Sequence, residues 1–369
     1  MEYAALLALT LLGLTAGFFV DSSDDDDSDD TSDSGGTETG GDTGTGGDTD
    51  TGGGTDTGGT TDADGLITSE GVTFGTEGGD VITSANSADT VVGGGGDDQI
   101  TGSSADNILD GQTGNDSVFG GGGNDQVFGS EGDDSLGGNS GDDLIAGGTG
   151  ADALAGGFGN DTMFGDDGDD RLDGQEDADE LDGGAGNDTM FGGTGSDTLF
   201  GGDGNDSILD GEGDDVLIGQ SGADTLDGGP GDDRVFGVWD GNNDEIINAR
   251  DLDDPDVLLG GEGNDEIQMG SGDTVFGESG SDTFFTGTWV DPDNAPEIVE
   301  LEEDEVVIVS VPVGASAGSS ISIETDSVSG DSLVQFNGQT VAVVSAGGGP
   351  VSLDQVLVVE SASIGASAV

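Results

Sequence analysis

From residue 75 to residue 236 an apolar side chain returns at every ninth position, from Ile82, Val91, Ile100 and Leu109 to Val235, without a break. The segment divides into eighteen nonapeptide units, with the apolar residue at position 8 of each. Alternation along a short extended segment sends position 8 to one face and positions 7 and 9 to the other. The pattern predicts a three-residue strand, then a six-residue turn rich in Gly and Asp. A lone strand that short is unstable, so the units must stack. The simplest closed path is strand, turn, strand, turn, with two nonapeptides per coil. Odd-numbered units then form one parallel sheet and even-numbered units the other, and the position-8 side chains meet between them as a thin core. At about 4.8 Å per coil, nine coils give a rod about 43 Å long.

The turn positions are as regular as the core. Position 6 is Asp in 17 of 18 units, the exception being Asn107. Position 4 is Gly in 15, broken by Ser87, Ala105 and Asp177, and position 1 is Gly in 16, broken by Ser84 and Asp210. Glycine at positions 1, 2 and 4 allows backbone conformations that let carbonyls turn inward toward an ion. Position 6 adds a carboxylate, so one candidate cation site recurs per turn. The candidate ligands are Asp80, Asp98, Asp116, Asp125, Asp134, Asp143, Asp152, Asp161, Asp170, Asp188, Asp197, Asp206, Asp215, Asp224 and Asp233. Asp265 and Asp282 join them from units 260–268 and 277–285, where the pattern resumes after an irregular stretch. Units 84–92 and 102–110 lack most of their glycines and 174–182 has Asp177 at position 4, so weak or empty sites are expected there.

Charge says which ligand. The chain has 81 acidic residues against three Arg and no Lys, a net charge of −78, and it has no His and no Cys. Self-repulsion opposes collapse until something positive arrives, and the chain offers almost nothing positive itself. Carboxylates and carbonyls are hard oxygen donors, which suit Ca²⁺ better than Zn²⁺ or Cu²⁺. One Ca²⁺ per unit would supply roughly 36 positive charges, and metal affinity of this kind is folding free energy. Nucleic acid is excluded as a partner, because phosphate would be repelled. Ser-His-Asp, Cys-nucleophile and zinc-protease chemistry all lack their residues. Paired acids such as Asp97-Asp98 resemble a glycosidase dyad, but their repetition in every turn favours metal ligands, and no enzyme is expected.

Outside the repeats four segments differ. Residues 4–20 are one apolar run, at the lower limit for a membrane span and longer than most signal-peptide cores; anchor, cleaved signal and buried segment all remain open. Residues 21–65 are nearly all Asp, Ser, Thr, Gly and Glu and predict a disordered acidic linker. Residues 66–285 are the repeat domain. Within it, 237–247 and 248–259 exceed the nonapeptide length, and Asp240, Asn242, Asp244, Ile247, Asn248 and Asp251 have EF-hand-like spacing. A bulged roll turn feeding Ile246-Ile247 is the plainer reading. From 286 to 369 β-branched runs replace glycine, and Asn337-Gly338 between two of them predicts a hairpin. A small antiparallel β cap is expected over 297–360. Trp239 and Trp289 mark a junction or a glycan-stacking surface. Large apolar residues at position 9, including Phe128, Phe164 and Phe200, are neighbour packing or a partner surface.

GGGGNDQVF at 120–128, GGAGNDTMF at 183–191 and GGTGSDTLF at 192–200 resemble the RTX family of hemolysin-type calcium-binding repeats. The resemblance covers 75–285. It implies an all-β chain, a right-handed parallel β-roll with two nonapeptides per coil, binding many Ca²⁺ ions and folding once exported into millimolar calcium. It also implies type I secretion machinery as a partner, reading an uncleaved signal in the C-terminal region, and a secreted location. The apolar N-terminal run departs from that export pattern and leaves tethering to the cell surface open. The expected function is calcium binding by an extracellular structural or display module. The alternatives are a calcium-dependent adhesin, with a cell-surface or self-association partner, and an accessory part of a secreted enzyme or toxin.

Overall fold

The computed structural model describes residues 60–61, 67–69, 71–84, 89–237, 255–312, 314–316, 319–345 and 351–361. The apolar run, most of the acidic linker, the EF-hand-like stretch and Trp239 lie outside them.

Two sheets, of 16 and 15 strands, run side by side along the chain. Through the repeats successive strands alternate between them, and each pairs in parallel with the strand after next: Ile82 with Ile100, Val91 with Leu109, Ile100 with Val118. Odd-numbered units build one sheet and even-numbered units the other, as the nonapeptide period requires. The result is a parallel β-solenoid of about 11 turns. Every position-8 side chain from Ile82 to Val235 is buried, most of them completely. Each such Leu or Ile contributes about 2 kcal/mol of burial, and their file, continued by Leu258, Ile267, Val275 and Phe284, is the core of the roll.

The strands are longer than the sequence pattern suggests. Gln126–Glu131 and Leu144–Thr149 each have six residues. They run from position 7 of one unit to position 3 of the next. The register passes over position 1: Phe128 aligns with Ala146 and Ser130 with Gly148, while Gly129 and Gly147 drop out. The pairing is interrupted there, and position 1 is where the turn's carboxylate and carbonyl oxygens gather.

Beyond Phe236 the register changes without breaking the stack. Thr225–Pro230 pairs with Val257–Gly263 at an offset of 32, and Arg234–Phe236 pairs with Glu266–Gln268 at the same offset. Strand Thr225–Pro230 and strand Val257–Gly263 are therefore direct neighbours in their sheet, one slot apart, where the sequence spacing suggests two units between Phe236 and Gly260. The next offset is 17, because 269–276 is one residue short.

Parallel stacking also continues past residue 285. Glu297–Val299 and Val306–Pro312 add to the two sheets, and Gln339–Val344 and Val356–Ser361 add again. The antiparallel part is confined to Ile321–Thr325, Ser332–Phe336 and Gln339–Val344. The last two are joined at Asn337-Gly338, where both residues have positive φ, as a tight hairpin turn requires. Trp289 is buried, and its Nε1–H donates to the Met269 carbonyl at 3.0 Å. It seals the join between the repeats and this C-terminal part. At the other end Ile67–Ser69 and Val72–Phe74 form an antiparallel pair on the first coil.

Candidate metal centres along the two turn rows

The position-6 aspartates form two ladders, one on each row of turns. Within a ladder, the main-chain N–H of each position-6 residue donates to Oδ1 of the aspartate one coil further on. Asp98 donates to Asp116, Asp116 to Asp134, Asp134 to Asp152 and Asp152 to Asp170, at 2.7–2.8 Å. The ladder goes on through Asp188, Asp206 and Asp224 to Asp256 and Asp273. The second ladder begins at Asn107 and runs through Asp125, Asp143, Asp161, Asp179, Asp197, Asp215, Asp233 and Asp265 to Asp282.

One oxygen of each carboxylate is thereby used. The other is buried and has no hydrogen-bond partner in the protein. This holds for Oδ2 of Asp98, Asp116, Asp125, Asp134, Asp143, Asp152, Asp161, Asp170, Asp188, Asp197, Asp206, Asp215, Asp224, Asp233, Asp265 and Asp282, and equally for Asp179. Leaving a carboxylate oxygen unpaired in the interior costs several kcal/mol. A row of them, one per coil on each edge, points to a ligand that supplies positive charge.

The space around these oxygens fits a cation. A Cβ placed on Gly129, at position 1, would run into Asp134 Oδ2 and lie 2.7 Å from the carbonyl oxygen of Gly147, one coil on. A carboxylate oxygen and a carbonyl oxygen therefore border the same small cradle, kept open because position 1 has no side chain. The same pair recurs at Gly201, where Asp206 Oδ2 and the Gly219 carbonyl flank the site, and at Gly228, with Asp233 Oδ2 and the Gly260 carbonyl. An all-oxygen donor set of carboxylates and carbonyls suits a hard cation such as Ca²⁺.

Electrostatics agrees. Burial pushes these carboxyls up, partly offset by the incoming N–H and aided by neighbouring aspartates: Asp125, Asp134 and Asp188 to about 6, and Asp161, Asp170, Asp206, Asp233 and Asp265 to about 7. Without a counter-ion these carboxyls hold their protons more tightly than an exposed aspartate does.

The units differ at the ends. Asp80 is half-buried, and its Oδ2 accepts the main-chain N–H of Thr76 at 2.6 Å and the Thr76 hydroxyl at 2.9 Å. Asp89 Oδ2 accepts the Ser84 hydroxyl, and Asn107 Oδ1 accepts the Ser103 N–H. In all three units a β-hydroxyl residue near the turn's start takes up the ligand position. Unit 174–182, by contrast, shows the full geometry in spite of Asp177, which adopts a positive φ of 77°. Asp256, Asp273 and Glu305, at position 6 of irregular units, are also buried; the sequence pattern passes over them because spacing shifts around each.

A two-sheet parallel roll with paired ladders of buried aspartates defines the class: a calcium-binding β-roll. Overlapping matches to the RTX calcium-binding nonapeptide repeat cover residues 74–244 and 250–288. The chain belongs to that family, and its repeats indicate calcium binding. No curated protein gives a significant match to the chain. Among the described residues no helix is long and apolar enough to cross a membrane.

Proposed function

We propose that the chain is an extracellular structural or display module that folds when its turn rows fill with Ca²⁺. The observation that carries this reading is the row of buried Oδ2 atoms that nothing in the protein satisfies. Each would be a ligand, together with the position-1 carbonyl of the following coil, and Asp179 joins the set named from sequence. A chain at −78 with three basic residues gains little from folding before those charges are met. In calcium-poor cytosol it would stay extended, and outside it would coil. That order of events suits export by type I machinery, with the signal in the C-terminal region.

Far-UV circular dichroism during a calcium titration tests the reading. Coil-like spectra are expected in chelator, with a cooperative gain of β signal at about 10⁻⁴ to 10⁻³ M Ca²⁺, the range of extracellular modules. A chain equally sheet-rich with and without metal would overturn it. Fractionation of the producing cells, with antibody detection, should find the chain outside.

A second reading, a calcium-dependent adhesin, rests on Phe119 and Phe158. Both are exposed, and both line an open notch over Gly137 and Ala155 on the outer face of one sheet. Attachment assays with and without calcium separate the two.

A further inference from the structure

Asp210 stands at position 1 of its unit, where the repeat has Gly. Its side chain is 3% exposed, and neither carboxylate oxygen has a hydrogen-bond partner. It reaches back one coil: a Cβ added to Gly192 would collide with Asp210 Oδ1 and lie 2.8 Å from Asp197 Oδ2. The carboxylate thus enters the cradle beside Gly192, where other coils present a carbonyl. One oxygen each from Asp197, Asp210 and Asp215 lie within 4.8 Å of one another. Among the described residues this is the one group of three acidic side chains that converges so closely.

Packing alone gives no reason for Asp here, since Gly serves at the same position in neighbouring coils. Three carboxylates in one water-poor pocket repel one another strongly. Affinity for a hard cation grows with the number of charged ligands, so this pocket should outcompete sites with a single free carboxylate oxygen. A divalent ion leaves one negative charge uncompensated and a trivalent ion leaves none.

We propose that Asp210 turns the repeat site it shares with Asp197 and Asp215 into a three-carboxylate cation site that fills first and prefers trivalent over divalent hard ions. The proposal rests on the calcium reading of the roll.

Terbium(III), excited directly, is the probe, titrated into the folded, calcium-loaded full-length chain so that it must displace calcium from a pocket that already exists. In the wild type the first equivalent should bind at least about tenfold tighter than the rest. Its luminescence decay in H₂O and D₂O should report fewer bound waters than later equivalents show. Asp210→Gly, which restores the repeat, should lose that first phase and keep the others. Asp210→Asn keeps the shape without the charge, should behave likewise, and carries the comparison if the Gly variant folds poorly. Identical isotherms and hydration in wild type and variants would overturn the proposal. Failure of the underlying reading looks different: no ion uptake in any variant and no calcium-dependent β signal.

Discussion

The main-chain N–H of Asp134 donates to Oδ1 of Asp152 at 2.7 Å, while Oδ2 of Asp152 is buried without a partner. One carboxylate does two jobs, clamping adjacent coils with one oxygen and facing the ion cradle with the other. Two substitutions separate the jobs. Asp152→Asn keeps an acceptor for the Asp134 N–H but puts an NH₂ donor where a cation ligand is needed. It should lower the bound calcium count by about one and raise the calcium midpoint. Asp152→Ala should cost about 1–3 kcal/mol more, because the Asp134 N–H is then left unpaired. Equilibrium dialysis gives the count and calcium-dependent circular dichroism the midpoint. An Asn variant indistinguishable from wild type in both would sink the assignment.

Acidity should act in opposite directions with and without metal. Burial raises Asp134 to about 6 and Asp206 to about 7, from a usual 3.8. A carboxyl whose pKa is higher in the folded state binds its proton more tightly there than in the unfolded chain. The metal-free roll therefore suffers no penalty below about pH 4 and a growing one as pH rises through 6 and 7. In chelator, β signal should increase as pH falls from about 8 to about 4. Calcium needs the deprotonated carboxylate, so with metal present the midpoint should move to higher calcium as pH drops below about 7. Paired titrations in chelator and in calcium check both signs, and parallel trends would contradict the account.

The two-sheet roll was legible because its core depends on one residue in nine. A strand-and-turn unit of that length, two to the coil, leaves position 8 no other place than between the sheets. The ladders were legible in outline, from the Asp at position 6, but individual sites were not. Glycine content served as a guide to site quality, yet Asp179 keeps the unpartnered Oδ2 and the ladder bond of its glycine-rich neighbours. The ladder bond runs from a main-chain N–H to a carboxylate one coil away, so it depends on position 6 and hardly on the turn between. Asp256 and Asp273 fall outside the nonapeptide count because the pairing offset changes to 32 and then 17 around them. Asp210 was visible only as a broken glycine; that it reaches Asp197, in the preceding part of the chain and outside its own unit, follows from coiling alone.

Asp80 and Asp179 make a direct comparison. Thr76 already occupies Asp80 Oδ2 twice over, whereas Asp179 Oδ2 has no partner. Asp80→Asn should leave the calcium count unchanged, and Asp179→Asn should lower it by about one. Competition with a calcium-sensitive dye resolves a difference of that size. If the two variants lose calcium equally, the hydroxyl at the turn's start does not decide which site takes an ion.

Gly129 and Leu136 belong to the same unit and should fail in different ways. A methyl group on Gly129 would sit between Asp134 Oδ2 and the Gly147 carbonyl, in the space a cation would share. Gly129 has no positive φ, so alanine is conformationally acceptable and its cost falls on the crowded ligand oxygens and on the ion. Leu136 is buried in the core file, and Leu136→Ala opens a cavity worth about 2–5 kcal/mol while leaving every ligand in place. Gly129→Ala should therefore bind about one ion fewer, with its stability deficit persisting in saturating calcium. Leu136→Ala should keep the full count and show a lower melting temperature. Calcium counts together with thermal melts distinguish the two, and a Gly129→Ala protein with a full complement of ions would place the cation somewhere other than the cradle.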